Sequence, residues 1–361
     1  MPEKIDKHSL EYIVRSGVAG GVAGISAKTL IAPLDRVKIL FQTNNPHYRH
    51  LAGSFRGMFK AIQLIYTNDG FMGLYQGHSA TLLRIFPYAA IKFVCYEQLR
   101  TFLIPRDEYE TAGRRLLAGS LAGVMSVFVT YPLDLVRVRL AFETSHAQIK
   151  HGRGKIWHTL KTIYYENPRY RFGTGGYVQN EPVILRFIHT TVDQNVHFFQ
   201  AMSNFYRGFV PTIIGMVPYA GVSFYSHDLI HDIMRSPRLA QYTVLDHDTT
   251  LTGPTKLKSE SSFDTRKPLQ TWAQLLAGGG AGMLAQAAAY PFEVIRRRMQ
   301  VGGVVNIGGQ FFSIGHTIVM IYAERGFKGF YVGLGIGFIK IGPMFACSFY
   351  VYERCKHLLR I

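Results

Sequence analysis

The sequence is poor in acids, in cysteine and in long uncharged stretches, and each shortage closes off a class of protein. Aspartate and glutamate number 23 against 40 lysines and arginines, so the chain carries a formal charge of +17. Such a basic balance favours anionic partners: nucleic acid, anionic lipid headgroups or a phosphate-bearing solute. The distribution argues against nucleic acid, because many bases sit singly in apolar stretches and only Arg296-Arg297-Arg298 form a tight cluster. Cys95, Cys347 and Cys355 show no paired spacing, which predicts buried free thiols and no metal or redox centre. Met1 to Leu10 contains Glu3 and Asp6 and no apolar core, so neither a secretory leader nor a transit peptide is expected there. No nucleophile triad, phosphate loop or dinucleotide fingerprint appears, so the expectation is a protein that is not an enzyme and needs no cofactor.

Charged residues make up only 17% of the chain and hydrophobic ones 48%, with 36 glycines, a balance that leans towards membrane-embedded or heavily buried helices. Yet no run of about 18 or more uncharged apolar residues stands out, as a simple spanning helix requires. The apolar stretches carry isolated charges such as Lys28, Arg84, Lys92 and Lys340. Helices with one lipid face and one polar face, lining a water-filled cavity, reconcile these facts.

What the chain has instead is a repeated word. Ala32-Pro33-Leu34-Asp35-Arg36-Val37-Lys38 returns as Tyr131-Pro132-Leu133-Asp134-Leu135-Val136-Arg137 and as Tyr290-Pro291-Phe292-Glu293-Val294-Ile295-Arg296. Each copy places an acid two residues after a proline and a base three residues after the acid, so both charges share one helix face. Proline in a helix interior removes a backbone bond and kinks the axis. Three such helices packed round an axis bring three acids and three bases into one ring that can open and close. The predicted pairing is cyclic: Asp35 with Arg137, Asp134 with Arg296, Glu293 with Lys38. An unpaired charge at a bilayer centre costs about 2.5–3.5 kcal/mol, so such residues pair or face water. Upstream of each word, Gly17, Gly20, Gly21 and Gly24, then Gly119 and Gly123, then Gly278 and Gly282 form small-xxx-small pairs that predict close helix approach.

The three words match the Pro-x-(Asp/Glu)-x-x-(Lys/Arg) signature of the mitochondrial carrier family, which the chain resembles over nearly its whole length. The resemblance implies an all-α membrane protein: three tandem repeats of two transmembrane helices plus a short amphipathic helix, forming a six-helix pseudo-threefold barrel. The expected divisions are repeat 1 at 1–109, repeat 2 at 110–235 with an insertion at about 167–203, a polar linker at 236–268 and repeat 3 at 269–361. The spacing between the word prolines, 99 residues and then 159, leaves an excess of 60 in those two polar segments. Helix 1 is expected from about Leu10 to Thr43, and a short amphipathic helix from Ser54 to Tyr66. The family's second signature, acid-Gly followed by aromatic-base-Gly, is met by Asp69, Gly70, Tyr75 and Gly77, with Gln76 where a base is usual. Repeat 2 keeps Phe205-Tyr206-Arg207-Gly208, and repeat 3 offers Gly326 and Tyr331-Val332-Gly333 with Arg325 in the acid position.

The same resemblance implies residue roles. The ring of Asp35, Lys38, Asp134, Arg137, Glu293 and Arg296 reads as the matrix gate, with Gln42 and Gln300 as glutamine braces beneath it. A second charged network, at the cavity's opposite end, reads as the cytoplasmic gate: Tyr96, Glu97 and Arg100; His227, Asp228 and His231; Tyr352, Glu353 and Lys356. His231 completes that network only when protonated. The even helices align on Pro87, Pro218 and Pro343, and three residues before each stand the expected solute contacts Arg84, Gly215 and Lys340, joined by Met216 and Ile341. Tyr88 and Lys92 extend the stripe from Arg84. Two cations separated by a glycine make an anion site with room for something bulky.

Within the family, Ala32 to Thr43, Gly77 to Ala90 and Val217 to Phe224 resemble the branch that contains the fungal mitochondrial coenzyme A carrier and the Graves disease carrier protein. That likeness implies a multi-pass protein of the mitochondrial inner membrane, a monomer, taking coenzyme A or a close precursor into the matrix by alternating access. Its partners are then an anionic, nucleotide-like solute and the lipid bilayer with its anionic headgroups, and not nucleic acid. Two other readings stay open: a carrier of adenine nucleotides or another phosphorylated cofactor, and a basic membrane-bound scaffold that transports nothing.

Overall fold

The computed structural model describes residues 10–105, 111–144, 154–166, 201–236, 239–243, 269–305 and 313–359. The predicted insertion and the polar linker fall almost wholly outside these residues. The helices run α1 (Leu10–Gln42), α2 (Phe55–Gly73), α3 (His78–Leu103), α4 (Ala112–Phe142), α5 (Lys155–Tyr164), α6 (Phe209–Met234), α7 (Ala240–Thr243), α8 (Thr271–Val305), α9 (Ile314–Arg325), α10 (Leu334–Ile339) and α11 (Ile341–Leu359). Long helices alternate with the short α2, α5 and α9, and Lys340 joins α10 to α11 to make the last long one. Arg15–Gln42, Gly113–Phe142, Phe209–Met234 and Ile314–Leu359 are long and apolar enough to cross a membrane.

Pro33, Pro132 and Pro291 lie inside α1, α4 and α8, and Pro87 and Pro218 inside α3 and α6. The small residues that pack these helices are not the glycines expected from the sequence. Side chains grafted onto Gly17, Gly20, Gly21, Gly24, Gly123, Gly278 and Gly282 meet nothing within 4 Å among the described residues. The buried stripe lies beside them. Ala19, Ala23 and Ala27 in α1, Ala118, Ala122 and Ser126 in α4, and Ala277, Ala281 and Ala285 in α8 are almost fully buried. Each set stands fourteen, ten and six residues before its proline, so the threefold register reaches back along the whole helix. Residues four apart share a helix face, and alanine keeps that face low without the entropic cost of glycine. On another face of α1, Val18, Val22 and Ile25 remain exposed, a stripe suited to lipid.

The described chain divides into two compact units, Met1–Ile213 with Phe292–Ile361, and Ile214–Pro291. In the first, α1 packs along α11 and α3 along α4. One apolar cluster joins Val37, Leu40 and Phe41 of α1 to Met58, Ala61 and Ile65 of α2; a second joins Leu135, Val136 and Leu140 of α4 to Ile163 of α5 and Phe205. A third holds Ile39, Val138, Ala141, Phe142 and Val301, so the C-terminal ends of α1, α4 and α8 converge. The second unit contains the C-terminal part of α6, α7 and the N-terminal part of α8. There Leu269 and Ala273 pack with Met234 and Ala240, and the Gln270 amide donates to the Thr243 carbonyl at 2.7 Å.

Gly77, Gly208 and Gly333 precede α3, α6 and α10 with φ of 84°, 80° and 86°. This left-handed conformation suits glycine. The position is also crowded: a Cβ on Gly77 meets the Arg137 carbonyl oxygen at 2.8 Å, and one on Gly208 meets that of Arg296 at 3.0 Å. The bases of two words are thus held in place by glycines at the start of the even helices.

Candidate functional site

Where the ends of α1, α4 and α8 converge, the three words meet. Arg137 Nη2 lies 3.0 Å from Asp35 Oδ2, Arg296 Nη2 lies 2.6 Å from Asp134 Oδ2, and Lys38 Nζ lies 2.9 Å from Glu293 Oε1. These are the three cyclic pairs that the repeat spacing predicts, each joining two different odd-numbered repeat helices. Acid and base project from one helix face just past the proline, and their burial is relieved by the neighbouring helix's opposite charge.

The acids are not equivalent. Asp134 is a hub: besides Arg296 it accepts from Arg297 Nη1 at 3.1 Å, from Gln300 Nε2 at 3.1 Å and from Arg84 on its other oxygen. Gln300 also donates to the Tyr131 hydroxyl at 3.1 Å and accepts from Arg297 at 3.0 Å, while the Arg296 guanidinium stands 5.3 Å from the Tyr131 ring centre. Asp35 accepts from Lys340 Nζ at 2.8 Å on its second oxygen. Glu293 makes one ion pair among the described residues, with Lys38. Gln42 is buried, and its backbone carbonyl accepts from Arg298 Nε at 3.0 Å.

The expected solute contacts are therefore partly engaged. Arg84 and Lys340 reach the word acids, and Arg84 also lies 5.5 Å from the centre of the Tyr88 ring. Lys92, two turns further along α3, is exposed, and Ile341 is half-buried at the start of α11. Gly215 and Met216 belong to the second unit, Gly215 buried and Met216 half-buried.

The opposite charged set has a different character. Glu353 pairs with Lys356 at 3.6 Å within α11, and Lys356 stands 5.6 Å from the centre of the Tyr352 ring. The Tyr352 hydroxyl lies 3.3 Å from Ser16 Oγ. Tyr96 is half-buried on α3, and Glu97 and Arg100 are exposed. In the second unit His227 and His231 stack with ring centres 4.2 Å apart, and His227 Nδ1 lies 3.8 Å from Asp228.

Several residues that sequence reasoning passed over belong to the site. Lys28 lies seven residues before Asp35 on α1, half-buried, and its ammonium reaches the Met344 thioether at 3.7 Å. Below the ring runs a second cycle. Arg36 of α1 donates to the Glu143 carbonyl just past α4 and pairs with Asp69, both at 2.9 Å. Arg139 of α4 donates to the Gln300 carbonyl at 3.2 Å and pairs with Glu166 at 2.7 Å. Arg298 of α8 donates to the Gln42 carbonyl at 3.0 Å and pairs with Glu324 at 2.8 Å. The acid of repeat 3 is thus Glu324 and not the position of Arg325. In repeat 2 it is Glu166, which also pairs with Arg207 at 3.0 Å. Arg36 and Arg298 thereby satisfy carbonyls at the ends of α4 and α1, which have no partner of their own within those helices, whereas Arg139 adds a second bond to a carbonyl inside α8.

Comparison with known proteins agrees with this geometry. The sequence profile of the family described as mitochondrial carrier protein matches residues 10–107, 108–175 and 267–361. A Saccharomyces cerevisiae protein named as a mitochondrial carrier protein is 52% identical over 354 residues, covering 97% of this chain and 92% of that one. Human solute carrier family 25 member 16 is 38% identical over 351 residues, covering 97% and 90%. A Xenopus laevis protein named as a mitochondrial coenzyme A transporter is 33% identical over 353 residues, covering 96% and 86%.

Proposed function

The chain belongs to the mitochondrial carrier family of transporters, and from that premise we propose that it moves coenzyme A, or a close precursor, across the mitochondrial inner membrane into the matrix by alternating access. The observation that carries the proposal is the surplus of cations around the ring. Three acids, Asp35, Asp134 and Glu293, are accompanied by Lys38, Arg137, Arg296, Arg84, Arg297 and Lys340, with Lys28 close by. Coenzyme A carries a 3′-phosphate and a pyrophosphate, a polyanion that answers such a surplus. Arginine offers a planar fork to phosphate and lysine a mobile point charge. The name of the Xenopus relative points the same way.

In this reading the ion-paired ring of Asp35, Lys38, Asp134, Arg137, Glu293 and Arg296 is the matrix gate in its closed form, braced by Gln300. The exposed acids Glu97, Asp228 and Glu353 belong to the cytoplasmic gate. Arg84, Tyr88, Lys92, Gly215, Met216, Lys340 and Ile341 contact the solute. Carrier geometry needs no covalent chemistry: the solute's differential contacts with the two states drive the switch.

Reconstitution into liposomes tests the substrate. Uptake of labelled coenzyme A, resisted by excess unlabelled coenzyme A more than by ADP or ATP, is the expected result. Transport of adenine nucleotides without coenzyme A rejects this substrate and keeps the carrier.

A further inference from the structure

We propose that the solute-contacting cations also latch the gate: with no solute bound, Lys340 is held by Asp35 and Arg84 by Asp134, and an anion has to take these cations from the carboxylates. This rests on the reading of Lys340 and Arg84 as solute contacts. The geometry is that of two shared acids. Asp35 gives one oxygen to Arg137 of α4 and the other to Lys340, which joins α10 and α11. Asp134 likewise gives one oxygen to Arg296 and Arg297 of α8 and the other to Arg84 of α3. Each acid therefore ties an even-numbered transmembrane helix of the family fold to the ring formed by the odd ones.

The consequence is competition. A phosphate reaching Lys340 and Arg84 replaces a carboxylate with a more highly charged acceptor, and arginine can grip it with two hydrogen bonds. As each cation leaves, its acid keeps its partner on the neighbouring odd helix and loses the tie to the even one. A ligand shifts a two-state equilibrium only by its differential affinity, and here the difference is explicit: the anion binds fully only where the two latches are undone. Glu293 has no such latch among the described residues, and the register position that supplies it in the other repeats is Gly215, which has no side chain to offer. Two ties therefore hold even-numbered helices to a ring of three pairs, and the anion releases both ties while the ring pairs themselves still have to part.

Titration calorimetry on the purified full chain tests this with two probes, coenzyme A and inorganic pyrophosphate. Asp35→Asn frees Lys340, so both anions are expected to bind about tenfold more tightly, while transport slows because the ring is broken. Lys340→Gln is expected to weaken binding and also to lower the thermal midpoint of the ligand-free carrier, an effect a residue serving only the solute does not have. The double variant is expected to lose less stability than the two single losses added, and to bind no more tightly than Lys340→Gln. Unchanged or weaker binding of both anions by Asp35→Asn overturns the latch, as does a ligand-free midpoint unmoved by Lys340→Gln, which serves if Asp35→Asn does not fold. Tighter pyrophosphate binding in a protein that does not transport coenzyme A keeps the latch and rejects that substrate. Coenzyme A transport with no change in either affinity does the reverse.

Discussion

The ring behind the prolines and the charged set on α11 are written in nearly the same alphabet, an acid followed by a base three residues on, and they end up doing different things. At the ring, Asp134 has a side chain only 2% exposed and its partners come from other helices. On α11, Glu353 has a side chain 68% exposed and pairs with Lys356 in its own helix. The difference lies in burial. A charge enclosed by neighbouring helices must be matched by whatever charge those helices bring, whereas an exposed one settles for its nearest neighbour and for water. Identical spacing thus gives an interhelical lock in one place and a loose surface pair in the other.

The comparison breaks most sharply at the hub. Asp134→Ala leaves Arg84, Arg296 and Arg297 with buried charge and no shared acid, and removal of one member of a buried pair costs about 3–5 kcal/mol. A large drop in the thermal midpoint and loss of uptake are expected, and a stability unchanged from the wild type contradicts a buried hub. Next in size is Gly77→Ala. It combines a left-handed φ of 84° with a Cβ pressed to 2.8 Å from the Arg137 carbonyl oxygen, so a loss of about 1–3 kcal/mol is expected in the same measurement. Gly20→Ala has open space around it and is expected to gain about 0.5–1 kcal/mol from helix propensity alone. An equal penalty at both glycines sinks the claim that the buried stripe is alanine.

How much of this was legible in the sequence depends on how far each side chain reaches. The cyclic pairs could be read because the i, i+3 spacing and the proline fix their face and level, and three copies fix the cycle. The ends of α1 could be read to within a residue, since Leu10 and Gln42 bracket the apolar pattern. The packing stripe was misread because glycine is the conspicuous small residue, although alanine at the register before each proline repeats more faithfully. Lys340 and Arg84 stand out in the sequence as isolated cations before the even-helix prolines, but nothing in their spacing shows that long side chains bend towards Asp35 and Asp134. Glu166 and Glu324 were missed because the acid-Gly word is broken: Asn167 follows Glu166, and Arg325 stands between Glu324 and Gly326. A search for the acids facing Arg139 and Arg298, each seven residues after its proline, finds both.

The smallest effect separates stability from function. Glu353→Gln removes an exposed carboxylate whose ion pair at 3.6 Å is long and within one helix, so the thermal midpoint is expected to move by no more than about 0.5 kcal/mol equivalent. If α11 supplies part of the cytoplasmic gate, the same variant nonetheless slows uptake into liposomes, because the acid is needed only in the state in which that gate draws together. Stabilising one state alone alters the balance between states without touching the fold of the other. A variant that transports at the wild-type rate leaves Glu353 a solvated surface residue, and the contrast between the two charged sets is then one of burial alone.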